Sequence, residues 1–281
     1  NVITTGTLNT LVGSLSGDAL NTGDQNTALG YQALSSETGA DQNVAIGDGS
    51  LAVQNIGSGN TYNTAVGSLS GGSVTTGIQN TLIGGLAGYA LTTGSNNVAI
   101  GYDALSTADT DARNVAIGTR ALEDQNAGNN TYNVAIGYEA GKNVTTGVQN
   151  TILGAAAGDA LTTGYYNTAL GYNALGASQT GRNAVAIGYQ ALMNENKANA
   201  ETYNTAVGFS AGSQITTGDE NTIIGGLAGD SLLTGTNNVI IGYNAEASDT
   251  GASDEITLGN ANNDTIRAAV QTISSLSDER D

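Results

Sequence analysis

The pentad Asn-[Thr/Val]-x-[Ile/Leu/Val]-Gly returns along almost the whole chain, most often after 17 residues. Its Asn stands at Asn9, Asn26, Asn43, Asn63, Asn80, Asn97, Asn114, Asn133, Asn150, Asn167, Asn204, Asn221 and Asn238. A further unit, "NAVAIGYQAL" from Asn183, carries one extra residue, and a degenerate "EITLG" at Glu255–Gly259 closes the series. A fixed short period is the mark of a repeat array, in which one unit cannot bury its own apolar face and only stacking does.

The period is itself periodic. Longer steps follow Asn43, Asn114 and the unit at Asn183, and each ends in "TYN" at Tyr62, Tyr132 and Tyr203. Three short steps and one long step therefore make a superrepeat of about 70 residues: an incomplete one at 1–62, then 63–132, 133–203 and 204–259. Eight places after the Asn, pairs of units carry Gly (Gly71 and Gly88, Gly141 and Gly158) and the next pairs carry Leu (Leu105 and Leu122, Leu175 and Leu192). Where Gly stands there, an aliphatic follows three places on, as at Val74, Leu91, Val144, Leu161, Ile215 and Leu232. The filling side chain is moved along the unit and not removed.

Seventeen residues are too few for a helical hairpin, and a Gly in every unit opposes helix. Runs of Thr, Val, Ile and Ala bounded by Asn and Gly predict short strands. The expected fold is all-β: a parallel β-solenoid, or β-roll, of about fifteen coils over residues 1–259, each coil with two short strands and two turns. At about 4.8 Å per coil the rod is roughly 70 Å long. The aliphatic three places after Asn (Ile100, Ile117, Ile136, Leu170) is expected to point inward, Ala seven places after (Ala104, Ala121, Ala140, Ala174) to suit a thin interior, and the Asn column to form a ladder of amides. With 41 Gly, one Phe and no Trp, a single thin roll has little bulk to bury, so three rolls packed as a homotrimer are expected.

Charge narrows the partners. Twenty-five acids against seven bases give a net −18, which disfavours nucleic acid and anionic membrane surfaces. There is no run of 18 apolar residues, so no membrane insertion is expected. Without Cys or His no metal or cofactor is expected. The opening "NVITTG" matches the middle of a unit, and the chain reads as a piece of a longer one.

The units "NVAIG", "NTAVG" and "NTALGYQAL" resemble the head repeats of trimeric autotransporter adhesins and, more closely, repeats of bacteriophage tail fibres. The resemblance covers residues 1 to about 259 and implies homotrimeric parallel β-rolls, on a virion tail fibre outside the cell or on a bacterial surface. Ser253–Asp281 resembles the segment leading into the endosialidase-type intramolecular chaperone of such fibres. That family cuts itself between Ser and Asp in a Leu-Ser-Asp-x-Arg context. Leu276, Ser277, Asp278 and Arg280 match it, making Ser277–Asp278 the candidate self-cleavage junction, with a plain polar tail as the alternative. Alternation at Ile266, Ala268 and Val270 predicts a short intertwined neck within 260–281.

Other candidates divide between ligand and scaffold. Tyr follows the Gly at Tyr31, Tyr102, Tyr138, Tyr172, Tyr189 and Tyr243, with Phe209 in the same column. Such a row could stack on a host-surface glycan; equally it shields a turn or a subunit seam. The "TYN" insertions are either contact loops or spacers. Acid pairs such as Asp109/Asp111 and Glu123/Asp124 read as solvated turn residues, not as the carboxylates of a glycosidase. The Thr pairs Thr75–Thr76, Thr92–Thr93, Thr145–Thr146 and Thr162–Thr163 lapse after two coils. The expected function is a non-enzymatic structural or adhesive shaft; the alternatives are an ice-binding solenoid and a polysaccharide-degrading spike.

Overall fold

The computed structural model describes residues 4–263. The neck and the Ser277–Asp278 junction lie outside the described residues. Among those described there is no helix. Fifteen three-residue strands, from Thr10–Val12 to Ile256–Leu258, stack in chain order into one parallel sheet. Val98–Ile100 lies on Val115–Ile117 with Ala99 opposite Ala116, and the same residue-for-residue register recurs from coil to coil. A parallel β-solenoid of about fifteen coils, mostly of 17 residues, is therefore the fold.

Each coil holds one three-residue strand, and a second strand, of two residues, occurs among the described residues only at Ala40–Asp41 and Gly59–Asn60. The remainder is turn, yet its backbone is tied to the next coil by the same kind of bond: Leu105 N–H donates to Ala121 O at 3.0 Å, and Thr75 N–H to Thr92 O at 2.8 Å. Such bonds satisfy buried peptide groups that a lone coil would leave open. The bends need left-handed backbone. The Gly four places after Asn has φ near +135°, and three further positions per coil are left-handed even where the residue is not Gly: Gln79 (φ 59°), Leu86 (φ 61°) and Leu105 (φ 52°) are examples. Each such residue costs roughly 1 kcal/mol in isolation, so the stack and not local preference sets the path.

The inward residue of each strand is the middle one, two places after Asn. Ala99, Ala116, Ala135, Ala169 and, in alternate places, Leu82, Ile152 and Ile223 are fully buried. Strand side chains alternate between faces, so the residue three places after Asn must point out. Ile100, Ile117, Ile136 and Leu170 are accordingly only half-buried, and Leu29 and Leu153 are each 45% exposed, against the inward placement expected from their bulk. The interior accepts Ala because the opposite wall already delivers Leu.

The core is closed by Leu105, Leu122, Leu175 and Leu192 in one kind of coil and by Val74, Leu91, Val144 and Leu161 in the other. The exchange is steric. A Cβ on Gly71 would sit 2.7 Å from Leu82 Cδ1 and 3.3 Å from Val74 Cγ2, so the eighth place is Gly where a branched aliphatic fills the eleventh. The long steps do not disturb the sheet: Val44 still lies on Thr64, Val115 on Val134 and Val185 on Thr205. Their extra residues lie at one edge, paired back onto the preceding coil as Ala40–Asp41 with Gly59–Asn60, Ala112 with Asn130, and Arg182 with Glu201.

Candidate functional site

The structure collects the Asn residues into a buried column. Asn97 Nδ2 donates to Asp111 O, 14 residues on in the same coil, at 2.8 Å; its Oδ1 accepts the backbone N–H of Asn114 from the next coil at 3.0 Å. The same pair of bonds recurs at Asn80, Asn150 and Asn221. One side chain thus closes its own coil and carries the next. Among the described coils after the first, the column is broken at Ala184, whose N–H still bonds Asn167 Oδ1 at 3.0 Å but which offers no amide onward. The extra residue at Asn183 moved the Asn one place out.

The Tyr column is exposed, and three of its rings stack on one another. Tyr172 and Tyr189 stack at 5.4 Å and 16°, and Tyr189 on Phe209 at 5.1 Å and 5°. The shared faces are occupied by each other, leaving edges and hydroxyls to solvent. Tyr102 lies over Gly85 and Tyr243 over Gly226, each with a ring carbon 3.6 Å from where a Cβ would be. Tyr31 and Tyr138 stand singly and exposed.

Of the Thr pairs, the first member is used between coils: Thr75 Oγ1 bonds Thr92 O at 3.1 Å and Thr145 Oγ1 bonds Thr162 O at 3.1 Å. The second members, Thr76, Thr93, Thr146 and Thr163, face solvent. Glu123 is ion-paired to Arg120 at 2.7 Å and Arg120 reaches Glu139 on the next coil at 2.9 Å. Asp111 is not a solvated turn acid: it is fully buried and accepts Ala127 N–H at 2.9 Å, because the second insertion folds over it. Burial pushes its carboxyl up, and the Ala127 N–H and Gln125 offset only part of that.

Sequence reading missed a set of polar residues in the core. Glu37, Gln54, Gln125, Ser178 and Glu195 are fully buried, eleven places after the Asn position, in the column held elsewhere by Val74 and Leu91. Glu37 is well satisfied: its Oε1 accepts N–H from Thr38, Gly39 and Ala40 at 2.9–3.0 Å and its Oε2 accepts Ile56 N–H at 3.1 Å. Burial raises its carboxyl pKa, but these backbone donors and Gln54 outweigh it and hold the group below the usual range. Glu195 is the opposite case. Neither oxygen has a hydrogen-bond partner, and burial pushes it up to about 7 against the weaker pull of Thr202, Ser178 and Lys197. Reading the eleventh place as a column, instead of reading the insertions as loops, was the signal available.

No protein-family model matches the chain, and no curated protein matches it.

The outer face of the sheet carries an exposed apolar row. The residues one and three places after Asn line it, with Thr or Val in one row and Val, Ile or Leu in the other. Val12, Leu29, Ile83, Leu153, Ile224, Ile241 and Leu258 are all exposed along its length. Among the described residues no cluster of three acidic side chains suited to a metal ion occurs.

Proposed function

We propose that the chain is the structural and adhesive shaft of a trimeric viral tail fibre or surface adhesin, holding or forming an element that meets the host surface. The observation that carries this reading is the continuous aliphatic row on the outer sheet face. Contiguous exposed apolar strips of this length mark interaction surfaces. A straight row repeating at each coil fits an identical straight row, and three chains related by a long axis would cover one another's rows. A net charge of −18 then keeps the outer surfaces of the assembled rod soluble. The regular backbone ladder makes the rod stiff, which suits a spacer.

Light scattering on the full chain at micromolar concentration tests the assembly; the expected mass is three times the 28.0 kDa of one chain. A monomer mass overturns it. A glycan array on the same material tests adhesion, with binding lost when Tyr138 and Tyr243 become Ala.

A second reading has one observation behind it. Thr64, Thr81, Thr151 and Thr168 repeat along the outward row at coil spacing, the kind of flat hydroxyl–methyl array that can order water. Val98, Val115 and Val134 interrupt it. An ice-binding role requires thermal hysteresis, and its absence at milligram-per-millilitre concentration removes this reading.

A further inference from the structure

The three insertions occupy equivalent places, and two of them are closed in the same way. In the first, Asn43 Oδ1 accepts the Thr61 hydroxyl at 2.6 Å and Gln54 Oε1 accepts Asn63 Nδ2 at 2.8 Å. In the second, Asn114 Oδ1 accepts the Thr131 hydroxyl at 2.6 Å and Gln125 Oε1 accepts Asn133 Nδ2 at 2.7 Å. The third changes both partners. Ala184 stands for the Asn and Glu195 for the Gln. The Thr202 hydroxyl keeps only the bond to the preceding coil's carbonyl, Arg182 O at 3.2 Å, which Thr61 also makes to Asp41 O at 3.1 Å. Glu195 is left fully buried with both oxygens unpartnered, and Ser178 Oγ on the preceding coil is unpartnered too.

A charged carboxylate in that position has lost its water and gained too little from Thr202, Ser178 and Lys197 to make up for it. A protonated one has nearly the shape of Gln: one oxygen accepts, the other carries a donor. In that form Glu195 can receive Asn204 Nδ2 as Gln54 receives Asn63, while its O–H serves Ser178. The charged group acting on Glu195 is Lys197 of the same coil, and the Lys197 ammonium is itself ion-paired to Asp219 of the following coil. Ser178 from the preceding coil and Thr202 from its own contribute only hydroxyls.

We propose that Glu195 is a proton-operated latch on the third insertion: protonated, it holds residues 196–202 closed as Gln54 and Gln125 hold theirs, and on losing its proton it leaves the core and releases that loop. The direction follows from the raised carboxyl. The closed form keeps its proton up to about pH 7, whereas an open, solvated Glu loses it near 4.5. Closure is therefore fully stable below 4.5, weakens as pH rises through the window to 7, and is constant above it.

Hydrogen exchange of the full chain at pH 5 and pH 8, corrected for intrinsic rates, reads the latch. The opening equilibrium of residues 195–203 is expected to be on the order of fiftyfold larger at pH 8, with no such change in residues 125–132. Glu195→Gln, which installs the side chain this protein already uses at 54 and 125, is expected to abolish the difference. Equal opening at the two pH values, or a difference that survives in Glu195→Gln, overturns the proposal. So does a carbon-13 titration of the wild-type Glu195 carboxyl with a midpoint below 5.5, a measurement that needs no variant.

Discussion

A Cβ added to Gly101 would lie 2.5 Å from the carbonyl oxygen of Gly118, one coil further along. The backbone there has φ of +136°, so space and conformation both demand Gly. Gly84 and Gly118 repeat the relationship with their own successors at 2.4 and 2.3 Å. Gly101→Ala is expected to separate two rungs of the ladder and lower stability by about 3 kcal/mol or more. Thermal melting by circular dichroism checks it; a shift within a degree or two would mean the coils are not this tightly stacked.

Asn97 makes one bond within its coil and others across to both neighbours. Asn97→Ala strands the Asp111 carbonyl and the Asn114 N–H in a dry interior, a loss of about 3 kcal/mol. Ala184→Asn runs the other way. It supplies the acceptor missing beneath Asn204 and should raise the unfolding midpoint in denaturant with an unchanged slope.

Gln79 is exposed and left-handed at φ 59°. Gln79→Asn is expected to be neutral or stabilising by about 0.5 kcal/mol, since Asn tolerates that conformation, and Gln79→Val destabilising by about 1 kcal/mol, since a β-branched residue does not. Chemical denaturation of the three proteins gives the ranking, and a Val variant as stable as wild type would contradict the backbone assignment.

Glu37 gives acid sensitivity of opposite sign to Glu195. Its folded pKa lies below the ordinary 4.5, so the folded chain binds fewer protons there than the unfolded one. Its stabilising contribution is complete above 4.5 and is lost as pH falls through the lower, folded value. Melts between pH 3 and 6 should fall less steeply toward acid in Glu37→Gln than in wild type.

Ile100 and Ile136 point outward, away from the Ala core. If the proposed trimer packs through this face, replacing both with Asp is expected to leave the circular dichroism spectrum unchanged while light scattering gives the monomer mass. A trimer that persists would place the subunit contact on another face.

The sequence by itself determined the period, the coil number, the parallel register and the places that must be Gly, because each of these is a consequence of like residues lying over like. The Asn column and the exchange of Leu105 for Val74 were legible for the same reason. Spelling did not decide which face of the strand turned inward. Bulk suggested Ile100, but strand alternation turns Ala99 inward; Ala suffices there because the far wall reaches across with Leu105, and Leu82, Ile152 and Ile223 take that place only in coils whose eighth residue is Gly. Nor could it tell that Glu37 is well served by backbone donors and Glu195 is not. That difference depends on which groups the insertions bring over the core, and on one missing amide at Ala184, which only the stacked coils bring to the same place as the carboxylate.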